Sequence, residues 1–205
     1  MDPALAKSAL ESGLNAVIAA EPEVTRYDTV VGDGDCGIGL KRGAEAVQQL
    51  LQSSKLSSVD DAALFLDRII GVVETSMDGT SGALYAIYLN ALASGLRSQS
   101  GQSEARAKVW AAAAKSAMQS MAKYTPAKPG DRTLVDALAP FVDTLTQTGD
   151  VHKAAKAAED GANSTKGMKA SLGRTVYIGG QGFQEVPDPG AYGLAQFFTG
   201  LAQKL

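Results

Sequence analysis

Apolar residues return every three or four positions along almost the whole chain, while strict alternation of apolar and polar residues is nearly absent. Leu10, Leu14, Val17 and Ile18 form one stripe. Leu66, Ile69, Ile70 and Val73 form another after the Ser-rich turn Ser53 to Ser58, and Leu84, Ile87, Tyr88 and Ala91 a third. The segment Ala105 to Tyr124 carries the run Ala111 to Ala114, which favours helix and lets a neighbouring helix approach closely. Val135, Leu138, Phe141, Val142 and Leu145 mark the next segment, and Val151 to Met168 a more polar one. Tyr192 to Leu205 is the last, with Leu194, Phe197, Phe198 and Leu201 turned inward. With a further helix starting near Gly37, the pattern predicts about eight helices of ordinary length joined by short polar turns. The expected architecture is a single all-α domain over residues 1–205, an antiparallel barrel or bundle with no clear linker or repeat.

Four stretches interrupt this regularity with Gly, Pro, Asp, Ser or Thr just ahead of a helical pattern. They are YDTVVGDGDCG (Tyr27 to Gly37), MDGTSGA (Met77 to Ala83), KPGDRT (Lys128 to Thr133) and GRTVYIGGQGFQEVPDPGA (Gly173 to Ala191). In an up-and-down arrangement alternate loops fall at the same end, so these stretches can share one mouth. Helix N-termini gathered there would turn free N–H groups and positive dipole ends toward an anion.

Composition narrows the partners. The chain of 205 residues is 45% hydrophobic and 20% charged, and its 19 basic against 22 acidic residues give a net charge of -3. Lysines and arginines form no block with interleaved aromatics, which argues against nucleic acid. Met1 to Ala20 is interrupted by Lys7, Ser8, Glu11 and Ser12, and no later run approaches a membrane span. The single Cys36 cannot form an internal disulfide. Together these favour a reducing, cytoplasmic setting with no membrane partner.

The most informative stretch is VVGDGDCGIGLKRG, Val30 to Gly43. Gly32, Gly34 and Gly37 satisfy G-x-G-x-x-G, the dinucleotide-binding pattern. That reading needs a strand before the turn and further strands alternating with helices, and none is predicted. It also places Asp33 and Asp35 where a pyrophosphate would lie, and like unit charges about 4 Å apart cost about 4 kcal/mol at an effective dielectric near 20. The carboxylates make sense once a hard cation stands between them and the phosphates, since Mg²⁺ takes oxygen ligands at about 2.0–2.1 Å from one or two carboxylates, waters and substrate phosphates. Asp28, Asp33 and Asp35 can converge on one or two such ions around a glycine-rich turn. An EF-hand loop does not fit, because Gly39 or Ala44 stands where its bidentate Glu is required. The bland alternative is an acidic turn that merely caps a helix.

The other loops are ambiguous by themselves. Thr80 and Ser81 can cap a helix or offer hydroxyls to a phosphate, with Gly79 and Gly82 allowing close approach. In KPGDRT, Asp131 or Thr133 is a candidate cap and Arg132 a candidate phosphate contact. Asp188 and Pro189 suit the cap and first positions of a helix. No G-x-x-x-x-G-K-[ST] occurs, so phosphate charge would be stabilised by metal and helix ends. His152, the only histidine, lies on a polar helix away from the four loops, and Trp110 among alanines reads as a packing anchor. Cys36 reads as a small residue of the turn, not a nucleophile.

Taken in order, GDGDCG with an Asp five residues upstream of its first Asp, DGTSGAL, PGDRTLVDAL, GRTVYIG and DPGA resemble the nucleotide-binding L domain of dihydroxyacetone kinases over essentially the whole chain. The resemblance implies an eight-helix antiparallel barrel whose loops at one end hold ATP, or ADP, through two Mg²⁺ ions. Position by position it implies Asp28, Asp33 and Asp35 as metal ligands, with Asp33, Gly34, Asp35 and Cys36 lining the nucleotide's loop. It implies Thr80 and Ser81 on the phosphates, Thr133 and Leu134 at the nucleotide, and Asp188, Pro189 and Gly190 completing the pocket. Thr125 matches a nucleotide-contacting position in a variable loop, and Arg174 is a phosphate-side candidate.

In one branch of that family the L domain is fused to, or works with, a substrate domain and transfers the γ-phosphate of ATP. In the other an L subunit keeps ADP and is rephosphorylated by a phosphotransferase-system protein. Cys36, where the second branch typically has His, resembles the ATP-dependent branch. In both, a histidine of a separate K domain holds a short ketose such as dihydroxyacetone covalently, so the K domain is the implied partner and the isolated chain is expected to need it. A non-catalytic nucleotide-binding or scaffold module is the alternative of a different class. Oligomeric state is open, a homodimer included.

Overall fold

The computed structural model describes residues 3–53, 61–99, 106–177 and 182–205. Among them the apolar stripes become α1 (Pro3–Val31), α2 (Cys36–Gln52), α3 (Ala62–Ser76), α4 (Gly79–Ser98), α5 (Arg106–Met121), α6 (Val135–Thr148) and α7 (Val151–Ser164). A one-turn α8 (Gly182–Glu185) and the long α9 (Pro189–Ala202) follow. No strand occurs among the described residues. The Ser-rich turn from Ser54 onward, Ala105, and Ile178 to Gln181 lie outside them.

Each long helix packs against its neighbour in the chain, from α1 on α2 through α6 on α7, and α9 closes the circle by packing on both α7 and α1. The result is an all-α barrel of eight long helices among the described residues. The sequence period explains the inward faces. Leu40, Ala44, Val47 and Leu51 of α2, and Ala63, Leu66, Ile70 and Val73 of α3, fall on one side of their helices and are buried. Burying a side chain of the size of Leu51 or Met121 is worth about 1.5–3 kcal/mol. The inward face of α7 is Ala154, Ala155, Ala158 and Ala162, which lets it lie close between α6 and α9, where Phe141 and Phe198 stack with ring centroids 3.7 Å apart.

One boundary differs from the pattern's suggestion. The break expected from Tyr27 onward begins only at Gly32, because α1 continues through Pro22 to Val31. Pro22 lies on the exposed side, where the carbonyl that loses its amide partner can meet water, while Val24, Asp28 and Val31 prolong the buried stripe. Asp28 therefore stands on the last turn of a long helix, not in a loop.

Because the helices alternate in direction, the connections 32–35, 77–78, 122–134 and the described residues of 165–188 share one end of the barrel. The N-termini of α2, α4, α6 and α9 open there. The α6–α7 turn, with His152, is at the other. No helix of the described residues is long and apolar enough to cross a membrane.

Candidate functional site

The turn between α1 and α2 is built around the Asp28 carboxylate. Asp28 is buried, and its Oδ2 accepts the Cys36 N–H at 2.9 Å, so the first amide of α2 is tied to the last turn of α1. Gly34 takes φ 80, the left-handed region that a glycine enters without strain, and this reverses the chain within four residues. The helices can leave the turn side by side because Gly37 lies against α1: a Cβ there would stand 2.7 Å from the Glu21 carbonyl oxygen. Asp33 and Asp35 are exposed, and oxygens of Asp28, Asp33 and Asp35 lie within 4.8 Å of one another.

Asp35 occupies the N-cap position of α2 yet makes no capping hydrogen bond with its side chain. The capping explanation of the acidic turn therefore fails for the residue best placed for it. Three like charges held this close repel one another, and of the α2 amides the Cys36 N–H is given to Asp28, not to Asp35. An all-oxygen, all-carboxylate donor set suits a hard cation such as Mg²⁺ and offers nothing to a soft one.

The remaining helix starts close round this turn. Arg42 of α2 donates through Nε to the Ser76 carbonyl at 2.7 Å and pairs with Asp78 at 2.6 Å, which ties the α3–α4 turn to α2. Asp78, the N-cap residue of α4, also makes no side-chain cap. Thr80 and Ser81 stand in the first turn of that helix. Across the mouth Asp188 does cap, its Oδ1 accepting the Ala191 N–H at 2.8 Å, and Pro189 takes the first position of α9. Burial raises the Asp188 carboxyl to about 6, while the Ala191 N–H and the Arg132 charge oppose the shift. Burial also pushes the Cys36 thiol well up, and the charges of Asp28, Asp188 and Asp35 act in the same direction. Cys36 is thus a neutral thiol between the aspartate turn and Asp188. Tyr85 of α4 is kept neutral mainly by burial, and next by Cys36 and Asp188.

Thr125 and Thr133 belong to the α5–α6 connection at the same end. The Thr125 hydroxyl oxygen accepts the Ala127 N–H at 3.1 Å, and that of Thr133 accepts the Val135 N–H at 3.2 Å. Leu134 is buried, and Gly190 stands near it: a Cβ added there would lie 3.7 Å from the Leu134 Cβ. Asp131 does not cap α6: its carboxylate accepts the Lys128 N–H and the Ser171 hydroxyl, both at 3.0 Å.

Arg132 departs from its expected role. It is not turned out toward a phosphate but is 2% exposed, and its guanidinium donates to the carbonyls of Thr165 at 2.6 Å, Val186 at 3.0 Å and Phe183 at 3.3 Å. Sequence reasoning also passed over two buried polar residues. Asp136 accepts the N–H groups of Gly130 at 2.6 Å and Thr133 at 2.8 Å, and Thr165 accepts the Asp188 N–H at 2.7 Å. A carboxylate inside the apolar run Leu134 to Leu138 was the available signal for Asp136. The side chain of Arg174 lies outside the described set.

The DAK2 domain family model matches residues 30–203. The chain belongs to the DAK2 domain family. It is 45% identical over 207 residues to a dihydroxyacetone kinase of Pichia angusta, an alignment covering 96% of this chain and 34% of that protein. The DAK2 fold is shared with the crystal structure of the dihydroxyacetone kinase of C. freundii in its native form, at TM-score 0.81 and 27% identity over 98% of this chain and 34% of that one. The same C. freundii kinase in complex with AMP-PNP and Mg²⁺ matches at TM-score 0.78 and 28% identity. The chain spans about a third of the length of these relatives.

Proposed function

We propose that residues 1–205 form one L-type domain that presents the phosphoryl donor of a dihydroxyacetone kinase. The reading rests first on the convergence of Asp28, Asp33 and Asp35 beside a helix start that Asp35 leaves uncapped. The similar C. freundii kinase, solved with AMP-PNP and Mg²⁺, supports it. In this reading the three aspartates hold two Mg²⁺ ions, which when bound neutralise charge between carboxylates and phosphates. Asp33, Gly34, Asp35 and Cys36 line the metal side of the nucleotide. Thr80 and Ser81 offer hydroxyls and amides at the α4 N-terminus to the phosphates. Thr125, Thr133, Leu134, Asp188, Pro189 and Gly190 enclose the remainder of the nucleotide.

Phosphoryl transfer asks for positioning and charge stabilisation more than for covalent chemistry. The chain's contribution is to orient the γ-phosphate at a rim where four helix N-termini face the same way, leaving the acceptor to a second domain. None of the described residues at this end is a ready nucleophile, Cys36 being neutral. This agrees with a ketose held by a K domain, fused or separate. Cys36 in place of a histidine favours ATP as the direct donor over a bound ADP recharged by a phosphotransferase-system protein. The test is to assay ketose phosphorylation by the chain alone and with a K domain added. Mg-ATP-dependent turnover only in the mixture is expected; robust turnover by the chain alone contradicts the division of labour. Purified protein carrying ADP that ATP does not displace would favour the second branch.

A further inference from the structure

We infer that Arg132 is a positioning residue that fastens the loop carrying Thr133 and Leu134 to the loop carrying Asp188, Pro189 and Gly190, and so sets the shape of one wall of the proposed nucleotide site. The inference rests on the reading of that site given above and adds a residue that does not itself touch the nucleotide.

Three unfavourable features meet at this position. Arg132 takes φ 58, which a side-chain-bearing residue rarely adopts; its guanidinium is buried; and its Nε has no hydrogen-bond partner among the described residues. Burial lowers its basicity, against the opposing charges of Asp188 and Asp136. An apolar residue of similar volume would share the backbone strain but avoid the buried charge and the unpartnered Nε. Strain kept at one residue in the wall of a site points to function, not to stability.

The bonds show what is held. The guanidinium reaches backbone carbonyls far apart in the chain: Thr165 just after α7, and Phe183 and Val186 in and just after α8. Thr165 in turn receives the Asp188 N–H through its hydroxyl oxygen, and the Gly167 N–H closes on the Phe183 carbonyl at 2.9 Å. On the other side, Asp136 pins the amides of Gly130 and Thr133, immediately flanking the clamp. A planar fork of donors can serve three carbonyls at once, and an ammonium cannot reproduce that geometry. The arrangement places Gly190 near Leu134, where an added Cβ would lie 3.7 Å from the Leu134 Cβ. The aspartate turn, held by Asp28 and Cys36, lies outside this network.

The test combines Arg132→Lys, Arg132→Ala and the milder Thr165→Val in the same chain, with three readouts. Mn²⁺ binding in the absence of nucleotide reports on the aspartates and should stay within about twofold of wild type, because the network does not include them. Mg-AMP-PNP affinity should fall about tenfold in Arg132→Lys and more in Arg132→Ala, with added guanidinium restoring part of the loss in Arg132→Ala while equal sodium chloride does not. Amide exchange in the metal-free protein should quicken over residues 183–191 and stay slow over 36–47.

Arg132→Lys with wild-type nucleotide affinity, or unchanged exchange over 183–191, overturns the positioning role. So does an equal loss of Mn²⁺ and nucleotide binding. Should Arg132→Ala fail to fold, Arg132→Lys and Thr165→Val carry the same test. If wild type itself takes no Mg-AMP-PNP, the nucleotide-site reading falls and takes this role with it. If wild type binds and all three variants bind equally well, only the positioning role falls.

Discussion

Two helix starts at opposite ends of the barrel both carry aspartate in the N-cap position, and they behave differently. At the far end Gly149 closes α6 in the left-handed conformation, and Asp150 opens α7 by accepting the N–H groups of His152 at 3.0 Å and Lys153 at 3.1 Å. Every local preference is met there. At the site end Asp35 opens α2 without capping it, and the first α2 amide is satisfied by Asp28 from another helix. The contrast separates two uses of the same side chain. Where a carboxylate does what helix formation asks, it serves the fold; where it forgoes that and crowds other carboxylates, the proposed function assigns it to a ligand.

Substitutions can break this contrast in turn. The largest stability effect is expected from Gly37→Ala, because a Cβ there meets the backbone of α1 at Glu21 and Thr25, each 2.7 Å away. A loss of about 3 kcal/mol by denaturant unfolding is expected, at the upper end for an overpacked site. A loss under about 0.5 kcal/mol would mean that the two helices are not held at this spacing.

Next comes Asp188, a cap under electrostatic strain. Its folded value of about 6 lies above the ordinary carboxylate value of about 3.9, so the folded state binds the proton more tightly. Its contribution is complete below about pH 4 and is lost as pH rises through 6. Asp188→Asn keeps a capping oxygen and cannot ionise. In metal-free protein the variant should gain on wild type between pH 4 and pH 8, by on the order of 2 kcal/mol, and a melting-temperature difference flat across that range would refute the shift.

The smallest effect belongs to the ordinary end. Asp150→Ala should lower the melting temperature by a few degrees and leave Mg-AMP-PNP affinity unchanged in calorimetry, since it caps α7 and pairs with Lys153 at the other end of the barrel. A change in affinity there would erase the distinction between the two ends.

Much of this was legible in the chain because it is local. The 3–4 residue recurrence of Leu66, Ile69, Ile70 and Val73, or of Leu138, Phe141 and Val142, is set by the geometry of one helix and needs no partner to be seen. The aspartates of GDGDCG were visible because their charge contradicts the glycine pattern around them. What stayed hidden was non-local. Whether Pro22 ends α1 depends on which face meets solvent, and the stripe through Val24 to Val31 decides it. Arg132 carries a charge that by sequence alone belongs outside, and only carbonyls 33 to 54 residues away turn it inward. Thr165 was hidden for the same reason, its partner Asp188 lying 23 residues on; Asp136 bonds to nearby Gly130 and Thr133, and was missed because an irregular loop, not a helical period, brings those amides to it.

The central claim is that a cation mediates between the aspartate turn and the phosphates. It is tested most directly by calorimetry of AMP-PNP binding to wild type and to Asp33→Asn/Asp35→Asn, each with Mg²⁺ and with EDTA. With Mg²⁺, wild type should bind about a hundredfold more tightly than the variant. With EDTA the order should invert, because bare carboxylates repel the phosphates and asparagines do not. Equal affinities of the two proteins in Mg²⁺, or a Mg²⁺ effect of the same size in both, would contradict the account.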